Sequence, residues 1–450
     1  MQLRQLRLEN FRRFDDIVVD FDRRLTVIAA RNGRGKTSVL EGAAAALGPF
    51  VGGFDEGVSG TLKPSDAHYR VVGEGPENEQ SFPVVVDAQF ADPELSSIRE
   101  LRSGKKSAKP TKAGSKRLNL YGKGLQDRVR AGEDVTLPVM CYYSSKRLWL
   151  MHRDSTRKSE LLRSRTAGYQ DCLSELSSFN QLHHWLRSAS LAVAQNNAVV
   201  GRTGPYKDMA GRLRGISNAV DAVFADEGWS GFRYDLVVDG LVMYHPDHGD
   251  LPLSYLSDGV RAMATLTADL AQRCTQLNGH FGEDAPTKTP GIVLIDEVDL
   301  HLHPAWQQRV LGGLRAAFPN VQFIVSTHSP QVISTTDSSQ IRVISQDGDG
   351  HWAAVQPDRQ VVGRSSAEAL VEVMGVRPTP PTEESAKVDR LTQMIETGHY
   401  DSAEGRELRQ ELESIYGPAN PVILDINKQI RFRALKQHVA GRPPAAGEGR

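Results

Sequence analysis

Cysteine is scarce in this chain of 450 residues: Cys141, Cys172 and Cys274 are widely spaced and form no metal-ligand pairing. That excludes a disulfide framework and a cysteine zinc site, and leaves three buried free thiols as the expectation. Long apolar runs are missing as well. No stretch approaches the roughly 20 residues that crossing a bilayer demands, so no membrane partner is expected. The opening residues, MQLRQLRLENFRRF, alternate charged and apolar side chains and lack the apolar core of a secretory signal, which makes the cytoplasm the expected compartment. Neither sign of charge predominates. With 54 Lys and Arg against 55 Asp and Glu, overall charge does not advertise a nucleic-acid binder. Charge is unevenly spread, however: the block RSGKKSAKPTKAGSKR, Arg102 to Arg117, is basic and holds no acid. Such a block reads as a solvated mobile loop, or as one that also touches a phosphate backbone.

Strand and helix signals alternate through most of the chain. LRQLRLENF and DIVVDF alternate apolar and polar residues as a strand pair, and RLTVIAA runs as a buried strand into a Gly-rich turn. Further strands are expected at SFPVVVDAQF, LPVMCYYSS, FRYDLVVDG, LVMYH, GIVLIDE and VQFIVSTH. Helices are expected at TSVLEGAAAALG, from Gly259 through Cys274, and over AWQQRVLGGLRAAF. This order points to an α/β core with a mostly parallel sheet. The expected organisation is a first lobe of the core over 1–145, a helical insertion over 146–230, and a second half of the core over 231–375. A helical region over 383–438 and a disordered tail over 439–450 follow.

The segment ARNGRGKT, residues 30–37, lies between a buried strand and a helix. Gly33 and Gly35 let the backbone wrap an anion, Lys36 reaches β- and γ-phosphates, and Thr37 offers a hydroxyl to Mg2+. Asn32, Arg34 and Ser38 complete the expected ATP contacts. Ala30 stands where such loops carry their first Gly, which is tolerable at negative φ. Downstream, GIVLIDEVDLHLHP sets Asp296 and Glu297 at the carboxyl end of an apolar strand, the edge where α/β sheets bind ligands. Asp296 can hold Mg2+ and Glu297 can orient and deprotonate the attacking water. The segment LSDGVR puts Ser257, Asp258 and Gly259 at a helix N-terminus, a second anion site built from a hydroxyl, backbone N–H groups and the helix dipole. His328, in VSTHSP, ends the next apolar strand within reach of a γ-phosphate. His301 and His303 lack a nearby third ligand for a metal. Asp347 and Asp349, in QDGDG, have the chemistry of a hairpin turn rather than of a nuclease, and neither an HNH pattern nor a restriction-type Asp…Glu-x-Lys set is found.

These four motifs in this order resemble the ATP-binding cassette ATPases. The N-terminal LRLENFRRF and LTVIAARNGRGKTSVLE, with DEVDLHLHPAWQ, resemble the SMC/RecF/OLD branch, over residues 1–345. In detail, PVMCYYSSKRLW, RTAGYQDCL and LPLSYLSDGVRAM look like the PtuA-type ATPases of Septu and Septu-like retron defence systems. The resemblance implies a P-loop ABC-type head with an inserted helical lobe and a C-terminal helical extension. It implies ATP and Mg2+ as ligands, and a head-to-head homodimer or higher oligomer in which Ser257, Asp258 and Gly259 close in trans on the γ-phosphate. Arg12 and Arg13 would stand near the nucleotide. A separate HNH nuclease, PtuB, is the implied partner, and DNA or a retron RNA–DNA hybrid the implied nucleic acid. The glutamine of the family's Q-loop is not evident, and Lys146 or Arg147 stands in its region. His303 occupies the place of the family's D-loop acid. The alternatives are a RecF-like DNA-repair ATPase that binds duplex DNA and an OLD-type nuclease.

Overall fold

The structure is a computed structural model that describes residues 1–71, 78–105, 108–145, 164–174, 179–198, 209–376 and 381–440. It divides into two units, Met1–Gly375 and Val376–Arg450.

The first unit is built on a six-stranded sheet. In spatial order its strands are Trp352–Val355, Ile341–Gln346, Leu25–Ala29, Val321–Thr327, Gly291–Ile295 and Val139–Tyr143. All neighbours are parallel except the edge pair formed by Trp352–Val355 and Ile341–Gln346. Leu25–Ala29, Val321–Thr327, Gly291–Ile295 and Val139–Tyr143 are buried at every position, which is why they read as continuous apolar runs rather than alternating ones. Register fixes where they end. Ala29 pairs with Thr327, while Ile295 pairs with Val325 on one side and Tyr143 on the other. The residues that follow these strands therefore emerge along one edge.

A second, antiparallel sheet orders Phe14–Asp20, Leu3–Phe11, Val84–Phe90 and Ser96–Leu101. Its strands alternate buried and exposed residues, with Leu3, Leu6 and Leu8 turned inward. The helix Lys36–Val51 is apolar nearly all round and buried accordingly. It lies close under the second sheet: a Cβ at Gly42 would collide with Leu8. A third sheet, Ser230–Asp235, Gly240–His245 and Gly249–Pro252, leads into the helix Asp258–Leu277. Between Tyr143 and that sheet, the described residues are a 3-10 turn, Arg165–Tyr169, and the helices Phe179–Ala198 and Met209–Phe224.

Three details depart from the sequence expectations. The strand Ser96–Leu101 and the pair His68–Val71 with Asn78–Ser81 carried no strand signal. The last basic residues of the 102–117 block open the helix Lys116–Arg130 instead of continuing a loop. The helix expected over AWQQRVLGGLRAAF is two pieces, Pro304–Gln307 and Val310–Ala317. Trp306 anchors the first against Phe224 at 4.7 Å between ring centres, and Gly313 lets the second meet the backbone of Val223.

The second unit holds three helices, Glu383–Thr397, Ala403–Tyr416 and Pro421–Ala440, around Leu391, Ile395, Leu412, Ile423 and Ile426. Thr382 and Ser402 cap the first two at their N-termini, and Gly398 ends the first in the left-handed conformation. The residues 441–450 of the expected tail, and Lys146 and Arg147, lie outside the described residues.

Candidate active site

The P-loop strand Leu25–Ala29 delivers its loop directly to the N-terminus of Lys36–Val51. Gly33 and Gly35 have φ of 71° and 92°, the left-handed region that glycine enters at little cost. At Gly35 the lack of a side chain is doubly required, because a Cβ would collide with the Phe14 ring. Ala30 is not among the positive-φ residues, so its methyl is tolerated. No side chain caps this helix and its first turn holds no acid, which leaves its first N–H groups and the positive end of its dipole to an anion.

Lys36 is only 6% exposed. Its ammonium donates to the Ala30 carbonyl at 3.2 Å and to Nε2 of His328. Burial lowers its pKa, opposed by the charges of Asp296, Glu297 and Asp299. Burial also lowers the pKa of His328, and the neighbouring Lys36 adds to that shift. The imidazole is thus held neutral, as an acceptor for the ammonium.

Thr37 Oγ1 donates to Oδ2 of Asp296 at 2.9 Å. Asp296 continues the ladder of its strand, its N–H donating to the Tyr143 carbonyl at 2.8 Å. Ser326, on the adjacent strand, donates to the other Asp296 oxygen and accepts the N–H of Glu297 at 2.8 Å. Glu297 has φ of 50°, a conformation costly for a non-glycine residue, and it lines the cavity beside the P-loop. Thr37 and Asp296 together are hard oxygen donors of the kind Mg2+ prefers, so the residues fit that ion.

One cavity of about 560 Å3 is lined by Arg12, Arg13, Asn32, Gly33, Gly35, Lys36, Thr37, Ser38, Glu297 and His328. Sheet register brings these together from four separate stretches of chain. Arg34 lies beside them, its guanidinium over the Trp352 ring and bonded to Gln346. The two N-terminal arginines differ. Arg12 is committed to Asp66, at 3.0 Å, and to Glu41, whereas Arg13 is exposed and rests on Trp352 at 5.3 Å. Ser257, Asp258 and Gly259 do not line this cavity. Ser257 is the N-cap of Asp258–Leu277, its hydroxyl accepting from the Val260 N–H, and Asp258 pairs with Arg261. Gly259 is buried against the His301 carbonyl, where a Cβ would collide.

Sequence reasoning missed Ser326, Asp66, Glu41 and Trp352. Only Ser326 left a trace, as a hydroxyl two residues before His328 on a strand end. His303 accepts the Ala305 N–H as a helix cap. Asp347 receives the N–H groups of Asp349 and His351 in the hairpin turn, which accounts for its acid without a metal.

Comparisons with known proteins agree with this geometry. A family profile described as "AAA domain" matches residues 5–197, and another described as "AAA domain, putative AbiEii toxin, Type IV TA system" matches residues 177–334. Fold and site have the architecture of a P-loop nucleotide-binding protein, and both profiles describe AAA domains. The chain is similar to the ATPases of retron and Septu systems. "Retron Ec83 probable ATPase" of Escherichia coli is 34% identical over 44% of this chain and 34% of its own length. "Retron Vc95 probable ATPase" of Vibrio cholerae is 24% identical over 91% of this chain and 86% of its own length. "Septu protein PtuA" of Bacillus thuringiensis is 26% identical over 40% and 46%. The match thus spans about a third of the Ec83 protein and most of the Vc95 protein. Among solved structures, the SMC head domain from Thermotoga maritima aligns with 80% of this chain and all of its own, at 17% identity and a TM-score of 0.42. No helix among the described residues is long and apolar enough to cross a membrane.

Proposed function

We propose that this chain hydrolyses ATP at the seam of a homodimer and thereby controls a separate nuclease in a defence complex of the retron or Septu kind. The observation that carries the catalytic reading is the Thr37–Asp296 hydrogen bond, which ties the P-loop to the strand-end carboxylate beside Glu297. The loop N–H groups and Lys36 would bind the triphosphate. Mg2+, held by Thr37 and Asp296, would neutralise phosphate oxygens and orient the γ-phosphate. Glu297 would hold the attacking water and take its proton. His328, an acceptor to Lys36, would shift its contact to the water or the γ-phosphate once the ammonium turns to the nucleotide.

The dimer reading is supported by where Ser257, Asp258 and Gly259, the signature residues that the resemblance implies, lie. An exposed helix N-terminus capped by Ser257, absent from the P-loop cavity of its own chain, suits closure on the nucleotide of a second copy. Tyr255, 78% exposed just before it, would be covered in the same step. The nuclease partner and any bound DNA or RNA–DNA hybrid are what the resemblance to PtuA-type ATPases implies.

The test is phosphate release and DNA cleavage measured on the purified chain alone, with Lys36→Ala as control. Turnover without cleavage supports an ATPase whose effector is another protein. Cleavage that disappears in the control would mean that this chain carries its own nuclease centre, and the partner reading would fall.

A further inference from the structure

The helix that begins at the P-loop has a second cavity at its other end. This one measures about 930 Å3 and is lined by Pro49, in the last turn of the helix. A helix of 16 residues rising 1.5 Å per residue sets the two cavities about 20 Å apart.

Arg99 lines this second cavity and is only 5% exposed. It sits on Ser96–Leu101, whose polar Ser97 and Arg99 face inward while Ile98 faces out. One reason is local. Pro49 has no N–H to give the carbonyl four residues back, and Arg99 Nη1 donates to that Ala45 carbonyl at 2.9 Å and also to the carbonyl of Gly60. Gly48 leaves the space for this approach.

Closing the helix does not account for the charge. Carbonyl dipoles satisfy one nitrogen, but no carboxylate among the described residues pairs with Arg99. Burial pushes its pKa down to about 10 with no acid opposing it. A buried cation without a counter-charge is expensive, and arginine stays protonated in proteins. The cavity it lines carries more of the same sign. Lys109, Lys112 and Lys116 line it, are exposed, and form no ion pair among the described residues. Lys116 opens the helix Lys116–Arg130, whose first turn holds no acid. Leu62 and Pro110 add apolar wall, and the volume lies within the roughly 300–1,000 Å3 of small-molecule sites.

We propose that this cavity takes the terminal phosphate of a nucleotide, free or at the 5′ end of a nucleic-acid strand, with Arg99 beneath it and Lys112 and Lys116 beside it. A guanidinium this deeply buried is reached by a phosphate that enters first, not by one in the middle of a strand.

The test uses the full chain carrying Lys36→Ala, so that the P-loop does not compete. Titration calorimetry with pyrophosphate, ADP, a short 5′-phosphorylated single strand and its 5′-hydroxyl twin should give saturable binding for at least one phosphorylated probe. Which probe binds identifies the source of the phosphate. Lys112→Glu with Lys116→Glu, both on exposed positions, should weaken that binding about tenfold or more, and Arg99→Lys should weaken it while retaining the fold. Absence of binding by every probe overturns the proposal. So does an affinity unchanged by the double charge reversal, or a 5′-hydroxyl strand that binds as well as its phosphorylated twin. ADP binding that survives Lys36→Ala and ignores the charge reversal would overturn the proposal and count against the P-loop reading as well.

Discussion

Lys36 Nζ is held between the Ala30 carbonyl and the imidazole of His328, and no carboxylate is within ion-pair distance of it among the described residues. The lysine of the phosphate loop is therefore in contact with the end of the Val321–Thr327 strand through a neutral group. That contact can be given up for an anion at small electrostatic cost. His328→Ala should lower kcat for ATP by about 100-fold, in the range for losing one positioned polar contact to the transition state, with a smaller change in KM. Steady-state phosphate release measures both. A KM increase with kcat unchanged would make His328 a binding residue only.

Glu297→Gln keeps the shape of the side chain and removes the base. It should bind ATP with near-normal affinity, turn over about 100-fold or more slowly, and accumulate the ATP-bound dimer. Nucleotide titration and light scattering on the same sample check this. Unchanged turnover would sink the assignment of the base.

Ser257→Arg should load nucleotide normally but fail to dimerise with ATP, because a bulky cation would replace a cap hydroxyl at an exposed helix N-terminus. Sedimentation in the presence of ATP reads the outcome, and a full dimer would count against closure in trans. Gly259→Ala is a poorer probe, since its methyl would strike the His301 carbonyl of the same chain.

A buried network joins the signature helix to the catalytic sheet. Tyr143 donates to Asp269 Oδ2 at 2.7 Å, and Arg273 Nε donates to the same oxygen at 2.8 Å. Burial opposes the charge on Arg273, but Asp269, Cys141, Tyr143 and Cys172 together outweigh it and hold that pKa well above its usual value. Asp269→Ala would strand a buried guanidinium and should cost about 3–5 kcal/mol, visible as a fall in urea midpoint. A shift below about 1 kcal/mol would mean that backbone carbonyls carry the guanidinium without Asp269.

His328, His183 and His280 all have pKa values lowered, chiefly by burial. The unfolded chain takes up protons at these sites near pH 6.5 while the folded chain does not. Stability should therefore fall as pH drops from about 6.5 towards the lowered values, and vary little from these groups above pH 7. Urea midpoints at several pH values test the sign, and His328→Gln should flatten the slope.

The fold class was legible because four strands of the main sheet are buried at every position and so spell themselves as apolar runs. Ser96–Leu101 was illegible for the opposite reason: its polar Arg99 points in and its apolar Ile98 points out, inverting the usual alternation. Lys36, Thr37, Asp296, Glu297 and His328 stand in recognisable motifs, but their mutual distances come only from strand register. Ser326 is hidden because a hydroxyl in VST reads as an ordinary strand residue, and Asp66 and Glu41 because their roles arise from a contact with Arg12.

The level strand ends also bear on how such a protein can change. Every chemical group at the P-loop cavity is attached within a few residues of a strand terminus or helix start, so long stretches between those points contribute nothing to that cavity. The stretch from Tyr143 to Gly291 leaves the sheet and returns to it as an immediate neighbour of the strand it left. Chain could be added between the helices Phe179–Ala198 and Met209–Phe224 at only a logarithmic entropic cost, whereas the helix Asp258–Leu277, which is capped by Ser257 and carries Asp269, could not be exchanged. One nucleotide site can thereby carry different inserted lobes without being redesigned.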